Sequence, residues 1–154
     1  MPKIVEIQFT EQVKDTIAES RLIAIALGDN TIYCEHFILG MFKVAPDNTA
    51  VQYMETVMPK QAWTQYLQEI AKNKALLSQQ PTKKPWWDFI FSSKSPSSIS
   101  RSYEKALKLS YLEAKALEIK EINIACILLS ILRDANFEGK LSYDMAKNFI
   151  KNNL

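Results

Sequence analysis

Residues 9–43 return, altered but in register, at residues 99–133. Set one above the other, FTEQVKDTIAESRLIAIALGDNTIYCEHFILGMFK and ISRSYEKALKLSYLEAKALEIKEINIACILLSILR align without a gap at an offset of ninety. Identities fall at Ser20/Ser110, Leu22/Leu112, Ala24/Ala114, Ala26/Ala116, Leu27/Leu117, Ile32/Ile122 and Leu39/Leu129. Apolar pairs such as Val13/Tyr103, Ile17/Leu107, Phe37/Ile127 and Met41/Ile131 keep the same phase, and the register carries on to Tyr53/Tyr143. A duplication of this kind constrains the fold more than any composition, because both halves must adopt one design.

Each repeat reads as two helices. The first spans Thr10 to about Leu27, with Thr10 as N-cap and Glu11 in the first turn, where the helix dipole favours a carboxylate. Gly28-Asp29-Asn30 supplies its stop. The second spans about Cys34 to Lys43, and its apolar residues run almost all the way round, the mark of a helix buried on nearly every side. In the other half, Tyr103, Leu107, Ser110, Ala114 and Leu117 share one helical face, and Ile124 to Leu132 forms the second apolar rod. Two such rods hide best against each other. The expected architecture is therefore all-α, with seven or eight helices in two repeats related by a pseudo-twofold axis.

Between the repeats, Asn48 can cap a helix through Val51, Met54 and Val57, and Pro59 suits the first turn of another that runs to about Leu77. Residues 78–98 hold three prolines and six serines and read as a linker. A last helix is expected from about Leu141 to Lys151. The chain is thus read as one domain, with repeat one at 9–58, a connecting helix and linker at 59–98, and repeat two at 99–150.

Composition removes several functions. Lys and Arg total 19 against 17 Asp and Glu, too balanced for a nucleic-acid footprint. No apolar run approaches the ~18 residues of a membrane span, and no leader pattern opens the chain, so a cytoplasmic protein is expected. The three glycines, Gly28, Gly40 and Gly139, form no phosphate-binding loop, and no cofactor is expected.

Cys34-Glu35-His36 opens the first apolar rod and carries the chain's lone histidine. Residues two apart on a helix point to different sides, so Cys34 and His36 make no catalytic dyad. Cys126 occupies the His36 position of repeat two. Cys34, His36 and Cys126 could therefore approach one another, but zinc wants four ligands and no fourth is present. Neither an enzyme nor a metal protein is expected. His36 is read as a structural residue bonded to a nearby loop carbonyl. Glu35 suits a helix N-terminus on physical grounds alone. Trp86, Trp87, Phe89 and Phe91 are costly to leave in water. They either fold back on the domain or anchor a partner, and an oligomer-forming helical protein built on this segment is the alternative reading.

Phe9-Thr10-Glu11, Leu27-Gly28-x-Asn30, Glu35-His36 and Leu39-Gly40 make the chain resemble the Clp N-terminal (Clp repeat) domain family. The resemblance covers both repeats; the second is degenerate and matches mainly by register. It implies an all-helical, pseudo-twofold, non-catalytic module that recognises a substrate, an adaptor or a Clp unfoldase in protein quality control. The ATPase modules of Clp unfoldases are missing, so it implies a free-standing domain or one cut from a longer chain. It also implies a ligand or peptide site at Glu35, Cys34 and His36. In some members the glutamate of each repeat contacts the guanidinium of phosphoarginine. Here Cys34 replaces the threonine before the glutamate, and Ile124-Ala125-Cys126 lacks the second glutamate. That leaves at most one such contact, without avidity, and makes phosphoarginine the less favoured ligand.

Overall fold

The computed structural model describes residues 8–78 and 98–153. Trp86, Trp87, Phe89 and Phe91 fall outside that range. Seven helices occur among the described residues. They are α1 (Glu11–Ala26), α2 (Cys34–Val44), α3 (Thr49–Val57), α4 (Lys60–Ser78), α5 (Arg101–Ala116), α6 (Ile124–Leu132) and α7 (Tyr143–Asn152). The fold is all-α, as the duplicated helical pattern requires.

The helices begin where hydroxyl and amide side chains can receive the free N–H groups of a first turn. Thr10 Oγ1 accepts from Val13 N at 3.2 Å, and its repeat partner Ser100 does the same for Tyr103 N at 3.1 Å. Asn48 caps α3 through Ala50 N, and Asn123 caps α6 through Cys126 N. Pro59 lies one residue ahead of α4 rather than inside its first turn; its carbonyl accepts from Trp63 N at 3.1 Å. The last helix starts at Tyr143, two residues later than its apolar pattern suggests, because Ser142 takes the cap.

The repeats share their stops as well as their starts. After α1, Leu27 N and Asp29 N return to the carbonyls of Ile23 and Ala24; after α5, Leu117 N and Ile119 N return to Glu113 and Ala114. This turn needs a left-handed residue. Gly28 supplies it at φ 74°, whereas repeat two forces Glu118 to φ 58°.

Two short extended pieces tie the halves crosswise. Strand β1 (Thr31–Ile32) pairs in parallel with β2 (Ser98–Ile99), and Phe9 bridges Ile122 in parallel. Ser100 N donates to Ile32 O at 2.9 Å, and Thr10 N donates to Ile122 O at 3.0 Å. These are the same bond seen from either side of the pseudo-twofold. The segment leading into the first helix of each repeat is held by the segment leading into the second helix of the other.

Helix α1 lies on α2, α5 lies on α6, and the two apolar rods join one hydrophobic core. Phe37, Ile38 and Met41 of α2, with Ile127, Leu128 and Leu129 of α6, are fully buried. Each such side chain gains about 1.5–3 kcal/mol from leaving water. The approach of α1 to α2 is close enough that a Cβ on Gly40 would stand 3.1 Å from Thr16 O. The equivalent position in repeat two is Ser130, whose hydroxyl instead donates to Ala106 O at 2.7 Å. Helix α4 follows repeat one in the chain. It packs on α2 and places Trp63 in the core, with the indole N–H on Met54 O at 2.7 Å.

Candidate functional site

The first turn of α2 brings three polar side chains into a buried place, and they have three different fates. His36 is fully buried. Its Nδ1 accepts from Tyr33 N at 2.8 Å, and its Nε2 donates to Asp29 Oδ2 at 2.8 Å. Both ring nitrogens are therefore committed to closing the loop before α2. Sequence reading expected a loop carbonyl as the partner; the structure supplies the Asp29 carboxylate instead, and because Nδ1 accepts from Tyr33 N, the neutral ring donates to it through Nε2. Burial lowers the pKa of His36, and the Asp29 carboxylate only partly offsets it.

Cys34 is buried. Desolvation, then the neighbouring Glu35 carboxylate, push its thiol up to about 12. Cys126 is pushed up to about 11, chiefly by burial. Thiols held this far toward the protonated form are poor nucleophiles. Among the described residues, no three His, Cys, Asp or Glu side chains gather into a metal-binding group.

Of the three, Glu35 lines a cleft among the described residues. The cleft holds about 500 Å³ and lies between α2, one face of α4 and the chain from Leu132 to Glu138. Glu35 is only 2% exposed. Its Oε1 accepts from Lys74 Nζ at 2.6 Å, and Lys74 also lies over the Tyr33 ring, 5.7 Å from its centroid. Its Oε2 is buried and has no hydrogen-bond partner. A buried carboxylate oxygen left bare costs free energy and calls for a reason.

The far wall belongs to repeat two. Arg133 is bound through Nε to the buried Glu113, and its Nη2 donates to Tyr143 Oη at 2.9 Å. Tyr143 in turn donates to Glu113 Oε2 at 2.7 Å. Burial, then the Glu113 carboxylate, raise the Tyr143 phenol to about 12, so it stays a donor. Beyond Arg133 the chain makes a left-handed turn, with Phe137 at φ 54°, Glu138 at φ 60° and Gly139 at φ 81°. Phe137 is anchored edge-on against Trp63, with ring centroids 6.5 Å apart. Tyr66 of α4 also lines the cleft. Burial and the adjacent Glu138 carboxylate raise its phenol, yet its hydroxyl finds no hydrogen bond of acceptable geometry.

Sequence reading singled out Glu35 but missed Lys74, Tyr66 and Glu138. Glu35 and Lys74 stand 39 positions apart, which leaves no local spacing to read. The one available signal is helix α4 itself, which follows repeat one directly and packs on α2.

The fold recurs in solved structures. The N-terminal domain of the caseinolytic protease associated chaperone ClpD from Arabidopsis thaliana superposes with a TM-score of 0.62, over 99% of this chain and 98% of that one, at 14% identity. The chain has the Clp N-terminal domain fold. The Hsp104 N-terminal domain from Candida albicans matches it too, with a TM-score of 0.56 over 93% of this chain and 89% of that one, at 15% identity. Neither a protein-family model nor a curated protein matches the sequence. Within this Clp N-domain fold, α4 and the Leu132–Glu138 segment turn the start of α2 into a walled cleft. No helix among the described residues is long and apolar enough to cross a membrane.

Proposed function

We infer that the chain is a non-catalytic, cytoplasmic protein-binding module of Clp N-domain type. It recognises a substrate, an adaptor or a Clp unfoldase in protein quality control, and the cleft at Glu35 is where the partner docks. The observation that carries this reading is the bare Oε2 of Glu35, a buried acceptor without a partner on a residue that lines the cleft, in a fold shared with the N-terminal domain of a caseinolytic protease associated chaperone. The absence of catalysis is supported by the commitments of His36 and Cys34. The imidazole is closed off by Asp29 and Tyr33, and the thiol is buried and protonated. Ala125 stands where the second repeat would need its glutamate, so one carboxylate docking point serves the whole module. Phosphoarginine would have to bind here without the avidity of a paired site.

The test is a pull-down from cell lysate with wild-type and Glu35→Gln protein, read by quantitative mass spectrometry. The amide is isosteric, and matching thermal melts would show that the fold is kept. Partners held by the wild type and depleted from the variant support the reading. Equal capture by both proteins removes Glu35 from the docking site.

A further inference from the structure

We propose that the Glu35 cleft receives a primary ammonium group on an apolar stem, namely a lysine side chain of the protein partner. The inference rests on the docking reading above and names the chemistry that fills the site. Its starting point is the division of labour within one carboxylate. Oε1 of Glu35 is occupied by Lys74 at 2.6 Å, and only Oε2 is left. A guanidinium pairs best with both oxygens of a carboxylate at once, in a flat two-pronged contact. That contact is closed here. A single oxygen suits an ammonium, which is a compact charge with three donors in a tetrahedral spread.

The same cleft offers the other acceptors that such a group requires. The Tyr66 hydroxyl is buried without a partner, and the Glu138 carboxylate lies beside it. Lys140 rests over the Tyr66 ring, 4.8 Å from its centroid, so the incoming ammonium takes the hydroxyl and not the ring face. The cations of the cleft are committed, Lys74 to Glu35 and Arg133 to Glu113, while Asp134 is paired with Lys105. An incoming phosphate would find both cations occupied and would meet the Glu138 carboxylate. Ile70, Leu132 and Phe137 supply apolar wall for a four-carbon stem. The left-handed turn at 137–139 holds Glu138 at this wall, in a backbone conformation that non-glycine residues seldom adopt.

The experiment is a two-dimensional NMR titration of the full chain with the blocked peptide Ac-Ala-Ala-Lys-Ala-Ala-amide and three relatives. One carries acetyl-lysine, one carries arginine, and one has no lysine but a free amino terminus. The lysine peptide should shift the amides of Glu35 and Tyr66, and acetylation should weaken binding about tenfold or more. Arginine should bind several-fold more weakly than lysine. Glu35→Gln and Glu138→Gln should each weaken the lysine complex. Lys74→Met frees Oε1 and should shift the preference toward arginine. The proposal is overturned if the lysine peptide leaves the spectrum unchanged or acetyl-lysine binds as well as lysine. It is equally overturned if arginine or the free amino terminus binds more tightly to the wild type. A pull-down that depends on Glu35, together with peptides that cannot be told apart, sinks this inference alone. A lysine-selective cleft with no Glu35-dependent partner sinks the docking function instead.

Discussion

Lys74 Nζ lies 2.6 Å from Glu35 Oε1, and the other oxygen of that carboxylate has no donor at all. A pair built for stability would satisfy both oxygens. Lys74→Ala, which strands a nearly buried charge, should cost about 1–3 kcal/mol in urea denaturation, the lower end reflecting water at the half-exposed lysine. The double change Glu35→Leu with Lys74→Met should be close to neutral in the same measurement, because a buried ion pair rarely outperforms an apolar one. A double variant that loses more than the single one would show that the pair serves the fold rather than a ligand.

The buried pair Asp29–His36 has a dry counterpart, since the same positions in repeat two hold Ile119 and Cys126. Breaking the polar pair with His36→Ala should cost about 2–4 kcal/mol, the sum of a lost buried hydrogen bond and a cavity. Transplanting the other solution whole, as Asp29→Ile with His36→Cys, should recover at least half of that loss. Additive or worsened losses in thermal melts would mean that the two half-sites are not interchangeable.

Acid should find His36. Burial lowers its pKa in the folded protein below the ordinary histidine value, so the unfolded chain takes up the proton first. Protonation would also put a hydrogen on Nδ1, where Tyr33 N already donates. The stability held by the neutral ring is complete above pH ~6.5 and falls as pH drops through that value toward the lowered one, by up to about 1.4 kcal/mol per pH unit. Asp29, Glu35 and Lys74 also act on the ring, so the test is a difference. Stability against pH is measured for the wild type and for the Asp29→Ile, His36→Cys protein, and the slope below ~6.5 should flatten in the variant. Parallel curves would count against it.

Glu118 holds the left-handed turn that Gly28 holds in repeat one. Glu118→Gly should stabilise the protein by about 0.5–1 kcal/mol, because relief of the backbone exceeds the entropy glycine adds to the unfolded chain. The reverse change, Gly28→Ala, should destabilise by about 1 kcal/mol or more. Melting temperatures that move the other way would mean that the Glu118 side chain contributes more than its backbone costs.

Much of the architecture was legible because duplication shows every feature twice. Thr10 and Ser100 announce the same cap, and the rods from Cys34 and Ile124 announce the same burial. The partner of His36 was legible in principle. Asp29 and His36 give way together to Ile119 and Cys126, and two polar residues lost as a pair point to a bond between them. The two-residue strands were not legible, because nothing in Thr31-Ile32 or Ser98-Ile99 is long enough to show alternation. Nor was the cleft, whose walls come from α4 and from the far repeat; Lys74 and Glu138 meet Glu35 only through tertiary packing.

The crossed bonds from Thr10 to Ile122 and from Ser100 to Ile32 make the two halves a handshake rather than a stack. Neither hand can close on itself. A lone unit of this design would be complete only when clasping a twin, so joining two of them in one polypeptide turns a concentration-dependent association into an intramolecular certainty. It also lets one hand lose its glutamate while the other keeps it.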